Sequence, residues 1–484
     1  MSYLGKKGYS LLKSNLTEKE HAFIRNELTV KAYIPKSPVQ PDPFSLYRES
    51  PNKFYVPRYF GQDNFGDFSE NKLSMGDNID IEFSGELREY QINIVNKYIH
   101  FVKDSGGGLL DVDPGKGKTV MGLYIISKLK KKTLVVVHKS FLLNQWIERI
   151  QQFLPTARVG KIQGQIIDIE DKDIVIGMLQ SLSQKDYPDN LFDSFGLSIY
   201  DETHHLGAEV FSRCMMKTIT NYTLGLSGTM QRKDGLTKVF KMFLGDVVHK
   251  EKTDTSEHKV IVKSIQYKVD DDEFNEIKYD YRGNPLYSTM ISKLCSYNHR
   301  SEFIIQVLQN ELQQNPEQQI MILAHNKSLI TYLYKAIEHR NIATVGYYIG
   351  GMKEADLKVS QGKKVIIATY AMASEGLDIK TLTTLIMASP KTDVCQSVGR
   401  ILRTKHTSPL VIDIVDSHVI FEKQWQKRRQ YYMKQKYNII SIDNHSYMTG
   451  NWQTVYDPSK SVESMKRIKK KEEPLKGVCL IKLN

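Results

Sequence analysis

A glycine-lined lysine marks the place in this chain where a phosphate group could be bound. Residues 115–119 (Gly-Lys-Gly-Lys-Thr) follow an apolar run and precede residues 120–123, which are typical of a helix. Glycines let backbone N–H groups turn towards an anion, and a helix N-terminus adds a favourable dipole. Lys118 would meet the β- and γ-phosphates of a nucleotide, and the Thr119 hydroxyl would bind Mg²⁺. The residues predicted to form this loop are Val112, Asp113, Pro114, Gly115, Lys116, Gly117, Lys118 and Thr119.

An acidic pair further along the chain suits the same chemistry. Asp201 and Glu202 come directly after the apolar run 197–200. Asp201 can hold Mg²⁺ through water, and Glu202 can polarise the water that attacks the γ-phosphate. A helix N-cap would need only one aspartate. His204 and His205 follow, but adjacent histidines cannot easily share one ion and no partner cluster is near, which argues against a zinc site.

Two arginines near residue 400 could supply the opposite charge. Arg400 and Arg403 are three residues apart in the run 396–403, so a helix would place them on one face. Permanently charged, planar guanidinium groups suit the charge that develops on a γ-phosphate. If the two arginines belong to a second lobe, hydrolysis requires the lobes to close, and nucleotide turnover becomes a mechanical cycle. A surface helix with two basic residues is the alternative.

Two parallel sheets are needed to position these residues. From residue 81 to 255, short apolar runs alternate with helix-like segments, and each run ends near a polar or glycine-bearing loop. This alternation is typical of a parallel sheet covered by helices on both faces, which binds ligands at the carboxyl ends of its strands. It returns from 291 to 440, so we predict a second α/β lobe. The predicted strands are Thr133–Val137, 173–176, 197–200 and 223–226 in the first lobe, and 319–323, 343–348, 364–368, 384–387 and 410–414 in the second.

The segments outside the two lobes have a different composition. Residues 1–80 are rich in aromatic, proline and turn residues, which predicts a mostly irregular extension with one short helix over 17–28, begun by a capping box at Thr17. Residues 256–290 hold one long alternating run, predicted to be a connector with an edge strand. Residues 441–484 carry a lysine-rich run, and a solvated basic tail is a better account of it than a dedicated binding site.

Composition narrows the class of protein. With 484 residues, two to four domains are expected. The net charge of +12 favours a polyanionic partner such as nucleic acid, although a lysine-rich surface would give the same surplus. The 4 cysteines are far apart and form no C-x-x-C pair, which disfavours a disulfide framework or zinc site and fits a reducing intracellular setting. Without a signal-peptide core or a spanning apolar stretch, we expect a soluble, non-secreted protein with no membrane partner.

In chain order, these motifs resemble those of superfamily 2 helicases over residues 84–440. The phosphate loop corresponds to motif I, and the run 396–403 corresponds to motif VI. The acidic box of the family corresponds here to Asp201, Glu202, Thr203 and His204. The resemblance implies two tandem RecA-like lobes, each a mostly parallel sheet flanked by helices.

Two further runs lie on either side of the phosphate loop. Residues 87–91 resemble the adenine-side motif of the family, which implies that Gln91 reads the base, with Arg88 beside it. Residues 135–140, followed by Gln145 and Trp146, resemble motif Ia, which contacts the nucleic-acid backbone.

The remaining motifs follow in family order. Residues 226–230 resemble motif III, which implies that Ser227 and Thr229 couple hydrolysis to movement, although Gly228 stands where the family commonly has alanine. Residues 366–370 and 374–378 resemble motif V. 

The sequence departs from the family pattern in two places. The strict G-x-x-x-x-G-K-[ST] pattern is broken because Val112 stands at its first position, and Asp113 and Pro114 precede the first glycine of the loop. On this loop alone, a basic glycine loop that binds no nucleotide stays an alternative. His138 and Lys139 replace the usual Pro-Thr of motif Ia, and Lys139 could still meet a phosphate.

The resemblance implies an ATP-driven motor. ATP and Mg²⁺ would be bound by Lys118, Thr119, Asp201 and Glu202 of the first lobe, with Gln396, Arg400 and Arg403 contributed by the second. DNA or RNA would be held mainly through its backbone, which makes binding tolerant of sequence and sensitive to salt. Two alternatives stay open: a duplex translocase that displaces proteins without separating strands, and a nucleic-acid-binding module with a relic phosphate loop.

The flanking residues resemble a narrower group. Gln145-Trp146, residues 225–235 and the N-terminal runs 28–30 and 54–61 are similar to helicases of large cytoplasmic DNA viruses related to the poxvirus helicase that releases transcripts. That resemblance implies a role in viral transcription, contact with transcription machinery, and a location in host cytoplasm or the virion.

Overall fold

Two compact units make up the chain, residues 1–253 and 254–484. The computed structural model describes residues 2–31, 40–113, 116–201, 208–228, 237–251, 260–374, 379–394, 397–399 and 409–460. Each unit contains one eight-stranded sheet in which all neighbouring strands are parallel except one pair at an edge. The predicted α/β class with two mostly parallel sheets is therefore confirmed.

The first sheet brings three strands with predicted site residues side by side. Its strands, in spatial order, are Ile166–Asp168, Val159–Gln163, Ile174–Met178, Thr133–Val137, Leu197–Asp201, Tyr222–Ser227, Gly107–Val112 and Val247–Glu251. Strand Tyr222–Ser227 lies between the strand that ends at Asp201 and the strand that leads into the phosphate loop. Because these strands are parallel, their carboxyl ends meet at one edge of the sheet.

Helices cover both faces of this sheet. Along strand Thr133–Val137, Leu134 and Val136 pack into one hydrophobic core, whereas Val135 and Val137 pack into another. Successive side chains of a strand point to opposite faces, so a strand covered on both sides must be apolar throughout. The helices of the lobe are Glu89–Ser105, Lys118–Leu129, Ser140–Phe153, Leu179–Gln184, Ala208–Met215 and Thr237–Leu244.

The prediction that residues 1–80 are mostly irregular was wrong. A five-stranded sheet is formed by Arg48–Glu49, Lys53–Val56, Gly8–Leu12, Tyr3–Gly5 and Glu70–Asn71, with a two-stranded ribbon of Thr29–Val30 and Phe44–Ser45 and helices Lys13–Asn15, Glu18–Glu27 and Arg58–Phe65. Leu11, Phe54 and Val56 alternate onto the face that packs into the core of the first lobe. Strands of two to five residues between turns leave too little periodicity to detect. The helix begun by Thr17 is confirmed, capping box included.

The second sheet contains the strand of the predicted motif V, Val365–Thr369. Its strands, in spatial order, are Val345–Tyr348, Val365–Thr369, Gln319–Ala324, Leu382–Met387, Leu410–Asp416, Ile261–Tyr267, Asn438–Asp443 and Gln453–Tyr456. Its helices are Asp272–Asn275, Tyr287–Ser296, Asn298–Gln314, Lys327–His339, Glu354–Gln361, Tyr370–Ser374, Val419–Lys434 and Tyr447–Thr449. The nine strands predicted in the two lobes are confirmed, each within two residues at either end.

Two predictions for this part of the chain were wrong. Strand Ile261–Tyr267 is not an edge strand, because it pairs with Leu410–Asp416 on one side and Asn438–Asp443 on the other. Its polar residue Lys263 is accommodated inside the sheet because the Lys263 ammonium is paired with Glu311 at 2.6 Å. The predicted tail from 441 also begins too early, since the last two strands complete the sheet; residues 461–484 lie outside the described residues. Among the described residues, no helix is long and apolar enough to cross a membrane.

Candidate active site

The phosphate loop runs from strand Gly107–Val112 to helix Lys118–Leu129, as predicted. Gly117 caps the helix with a left-handed backbone, φ 79° and ψ 39°. A Cβ added at Gly117 would lie 2.4 Å from Nε2 of Gln91. Both the backbone conformation and the space therefore require glycine here. Pro114 and Gly115 lie outside the described residues.

Lys118 lies inside this loop rather than on the surface. Its side chain is 8% exposed, and Nζ donates a hydrogen bond to the carbonyl oxygen of Val112 at 3.3 Å. Burying an ammonium group is costly unless acceptors or an anion surround it. The Val112 carbonyl oxygen, at the end of the preceding strand, is one such acceptor. Thr119, the next residue, is half-buried in the first turn of the helix.

Residues 87–91, predicted to lie beside the adenine base, are hydrogen-bonded to the phosphate loop through one carbonyl group. Nε2 of Gln91 and the hydroxyl of Tyr90 each donate to the Lys116 carbonyl oxygen at 2.9 Å. Oε1 of Gln91 accepts from the backbone N–H of Arg88 at 2.9 Å. The Lys116 ammonium lies 4.9 Å from the centroid of the Tyr90 ring. The sequence analysis missed Tyr90, for which the only signal was its place next to Gln91.

Asp201 is the last residue of strand Leu197–Asp201 and is 6% exposed. The indole N–H of Trp146 donates a hydrogen bond to Oδ2 of Asp201 at 2.8 Å. Trp146 lies in helix Ser140–Phe153, where the sequence analysis had assigned it only to motif Ia. The rest of the acidic box, Glu202, Thr203 and His204, lies outside the described residues.

Ser227 joins the acidic strand to the phosphate-loop strand. It ends strand Tyr222–Ser227, in which Leu226 is paired with Asp201 on one side and Ser227 with Asp111 on the other. Neighbouring strands are about 4.8 Å apart, so the Asp201 backbone, Ser227 and the start of the phosphate loop are adjacent. The structure thus brings together the described site residues of the first lobe. Thr229 lies outside the described residues.

Comparison with known proteins decides the family. A family model described as the res subunit of type III restriction enzymes matches residues 84–232. A protein of Acanthamoeba polyphaga mimivirus, provisionally named an ATP-dependent RNA helicase, is 37% identical over 446 residues, which are 89% of this chain and 85% of that protein. The chain belongs to the superfamily 2 helicases that include this viral protein. It is accordingly a nucleic-acid-dependent ATPase.

More distant relatives of this helicase come from other large DNA viruses. A provisionally named helicase of Invertebrate iridescent virus 6 is 27% identical, and the match spans 74% of this chain and 83% of that protein. An African swine fever virus protein, provisionally named an ATP-dependent RNA helicase, is 26% identical over 78% of this chain and 79% of its own length. Among solved structures, the Pyrococcus furiosus Hef helicase domain matches 71% of this chain and 98% of that chain at 13% identity, with a TM-score of 0.46.

The predicted motif Ia of this helicase lies at the carboxyl end of strand Thr133–Val137 in the first sheet. His138 follows strand Thr133–Val137 and is buried, and its carbonyl oxygen accepts from Nε2 of Gln180 at 3.0 Å. Lys139 is the N-cap residue of helix Ser140–Phe153. Burial lowers the pKa of the Lys139 ammonium below its usual value. A partly desolvated cation at this position would gain more from a phosphate than a fully hydrated one.

In the second unit, two buried arginines hold the segment that leads to motif VI. Nε and Nη2 of Arg300 bind both carboxylate oxygens of Asp416 at 2.6 and 2.9 Å, and Nη1 donates to the Ala388 carbonyl oxygen at 2.8 Å. Arg428 binds both oxygens of Asp413 at 2.8 and 2.9 Å, and its Nη1 donates to the Lys391 carbonyl oxygen at 2.6 Å. We call residues 388–391 the lead segment.

Ser389 fastens the lead segment to motif V and to the neighbouring strand. The Tyr370 hydroxyl donates to the Ser389 carbonyl oxygen at 2.6 Å. The Ser389 hydroxyl oxygen accepts from the His325 backbone N–H at 3.0 Å and lies 3.0 Å from Nδ1 of His325. Burial, assisted by the nearby charge of Lys391, lowers the pKa of His325 to about 4. His325 is therefore neutral at physiological pH, and its Nδ1 atom can accept a hydrogen bond from the Ser389 hydroxyl.

Gln396, Arg400 and Arg403 lie outside the described residues, and so do 375–378 of motif V. The sequence analysis missed the contacts of Arg300 and Arg428, because no motif links the partners. Arg300 is 88 residues from Ala388 and 116 from Asp416. Arg428 is 37 residues from Lys391 and 15 from Asp413.

Proposed function

We propose that this helicase hydrolyses ATP on Mg²⁺ and uses the cycle to move along or remodel nucleic acid. The observation that carries the proposal is the meeting of Lys118, Ser227 and the Asp201 strand end at one edge of a parallel sheet. A buried lysine beside a glycine-capped helix start, separated by one strand from a buried carboxylate, suits a bound triphosphate better than a basic loop with no ligand.

The residues present fit a magnesium ion. Thr119 offers a hydroxyl oxygen and Asp201 a carboxylate oxygen, and Mg²⁺ prefers oxygen ligands together with water and phosphate. When bound, the ion would neutralise charge on the phosphates. Lys118 would bind the β- and γ-phosphates, Glu202 would orient the attacking water, and Gln396, Arg400 and Arg403 would stabilise the charge of the transferred group.

For the substrate, one observation points to RNA-containing nucleic acid and a viral setting. Two of the viral relatives are provisionally named ATP-dependent RNA helicases. The net charge of +12 suits any nucleic acid, so charge does not choose between DNA and RNA. We propose a role in transcription of a large DNA virus. ATPase rates with single-stranded DNA, duplex DNA and RNA, compared side by side, would identify the activating nucleic acid.

Lys118→Ala tests the proposed site. This substitution removes the ammonium group that would bind the phosphates, so nucleic-acid-stimulated ATP hydrolysis should be lost. Circular dichroism and Tm should stay close to those of the parent, because removing the buried ammonium group also removes the free-energy cost of burying it. Retained stimulated ATPase activity in Lys118→Ala would refute the site.

A duplex translocase that separates no strands would use the same ATP chemistry. A strand-separation assay and a triplex-displacement assay on the same preparation distinguish the two. Displacement of the third strand without unwinding of a partial duplex would favour the translocase over the helicase.

A further inference from the structure

Trp146 connects two motifs that the sequence treats as separate. It is the largest of the fully buried side chains, at 1% exposed. Its indole N–H binds Asp201, and its Cη2 atom would lie 3.2 Å from a Cβ added at Gly122 in the phosphate-loop helix. The indole ring therefore packs against Gly122, where a larger side chain would crowd it. One ring thus contacts the acidic strand and the helix that follows the phosphate loop.

The polar contact is not needed for packing. Apart from Tyr98, Met121 and Met178, the other buried residues of this core are leucine, isoleucine and valine. A buried tryptophan is suitable only where its N–H has a partner. The indole nitrogen can donate but cannot accept, so its one hydrogen bond is committed to the Asp201 carboxylate. A buried carboxylate is stabilised by such donors, and a fixed Oδ2 atom restricts rotation of the whole carboxylate.

The helix that carries Trp146 begins in motif Ia. Helix Ser140–Phe153 starts directly after Lys139. Trp146 lies six residues after Ser140, about 9–10 Å along the helix axis. Four of its residues, Leu142, Leu143, Trp146 and Ile150, are buried in one core, so the helix packs on that core along most of its length. A displacement at its first turn would be felt at the indole N–H.

We propose that Trp146 is a positioning residue that sets the Asp201 carboxylate for Mg²⁺ and transmits nucleic-acid binding at motif Ia to the ATP site. This inference rests on the proposed function, because it assumes that Asp201 serves Mg²⁺ and that the Lys139 end of the helix meets a phosphate backbone. It explains why a tryptophan, rather than an aliphatic residue, occupies this core position.

Trp146→Phe removes the donor and keeps an aromatic ring. We expect mant-ATP to bind the variant as it binds the parent in EDTA, while the gain in affinity on adding Mg²⁺ falls about tenfold, the scale of one hydrogen bond to a charged group. Stimulation of ATPase activity by poly(U) or poly(dT) should fall towards onefold. Equilibrium binding provides a readout that is independent of turnover.

Ile150→Val is the matched control, because Ile150 is fully buried one turn further along the same helix and forms only apolar contacts in that core. Its smaller side chain should lower Tm without changing the Mg²⁺ gain or the stimulation. A Trp146→Phe variant that keeps the parent Mg²⁺ gain and stimulation would overturn the proposal. If Trp146→Phe does not fold, benzothienylalanine at position 146 replaces the N–H with sulfur in a ring of nearly the same shape, and the same outcomes apply.

A double variant tests the transmission. If the helix carries the signal, Lys139→Ala and Trp146→Phe should reduce stimulation non-additively, since both interrupt one route. Additive losses of stimulation would overturn the proposal that the helix transmits nucleic-acid binding, though not the proposed effect of Trp146 on Mg²⁺ binding. Failure of the proposed function has a different signature: Lys118→Ala would keep its ATPase activity whatever the Trp146 variants do.

Discussion

Gly117 determines whether the phosphate loop and the adenine side fit together. Its φ of 79° lies in the left-handed region, and a Cβ there would lie 2.4 Å from Nε2 of Gln91. Gly117→Ala should therefore cost about 1–3 kcal/mol in backbone strain and displace the Gln91 amide from the Lys116 carbonyl. We expect the affinity for mant-ATP to fall at least about tenfold, measured by equilibrium titration.

The control for Gly117→Ala separates strain from contact. Gly164 has a φ of 57° and no atom within 4 Å of a Cβ added there, so Gly164→Ala introduces the strain without displacing a neighbour. That variant should lower Tm but leave mant-ATP affinity unchanged. Equal losses of affinity in the two variants would show that Gln91 is not involved.

At the scale of elements, strand Leu410–Asp416 anchors the lead segment through two arginines. Each guanidinium binds one aspartate of this strand with two nitrogens and a lead-segment carbonyl with a third. Arg428→Lys keeps the charge opposite Asp413 but cannot reproduce this planar fork. We expect the second unit to fold, with turnover reduced at least about tenfold and mant-ATP affinity unchanged, measured by steady-state ATPase rates and titration.

Arg340→Lys is a matched control in the same unit. Arg340 also binds a carboxylate, that of Glu302, with two nitrogens, but the side chains of both residues are more than 40% exposed. An exposed pair contributes only about 0–1 kcal/mol, so this variant should behave as the parent does. Arg428→Met should instead lower Tm sharply, because it leaves Asp413 buried and uncompensated at a cost of about 3–5 kcal/mol. Normal turnover in Arg428→Lys would exclude a role for the lead segment.

The elements that the sequence predicted are those with strong local patterns. Strand Thr133–Val137 is buried at every position and apolar after Thr133. The run Gly117-Lys118-Thr119 predicts a loop and a helix within a few residues. The contacts that fix the site have no such local signal. Trp146 and Asp201 are 55 residues apart, and Arg300 and Asp416 are 116 apart, so only the fold shows that they meet. The alternating run around strand Ile261–Tyr267 predicted an edge strand, and the pairing of Lys263 with Glu311, 48 residues away, has no local signal either.

At the scale of the whole molecule, we propose that each of the two units supplies residues to the ATP cycle. The first unit contains the described phosphate-binding and acidic residues, whereas Arg400 is in the second. If Arg400 stabilises the transferred γ-phosphoryl group and does not hold the ground state, Arg400→Ala should bind mant-ATP as the parent does. Turnover should fall by about 10³–10⁵, the range for a transition-state arginine. Steady-state ATPase rates at saturating poly(U) measure it.

Charge alone does not account for such an effect. Arg282 is an exposed arginine of the same unit, over the ring of Tyr281, so Arg282→Ala removes the same charge from the surface. Its turnover should match that of the parent at equal ionic strength, since an exposed charge is largely screened over a Debye length. On this proposal, nucleotide binding needs the first unit and hydrolysis also needs the second. Unchanged turnover in Arg400→Ala would mean that the first unit hydrolyses ATP without this arginine, and the coupling of hydrolysis to movement would have to use another residue.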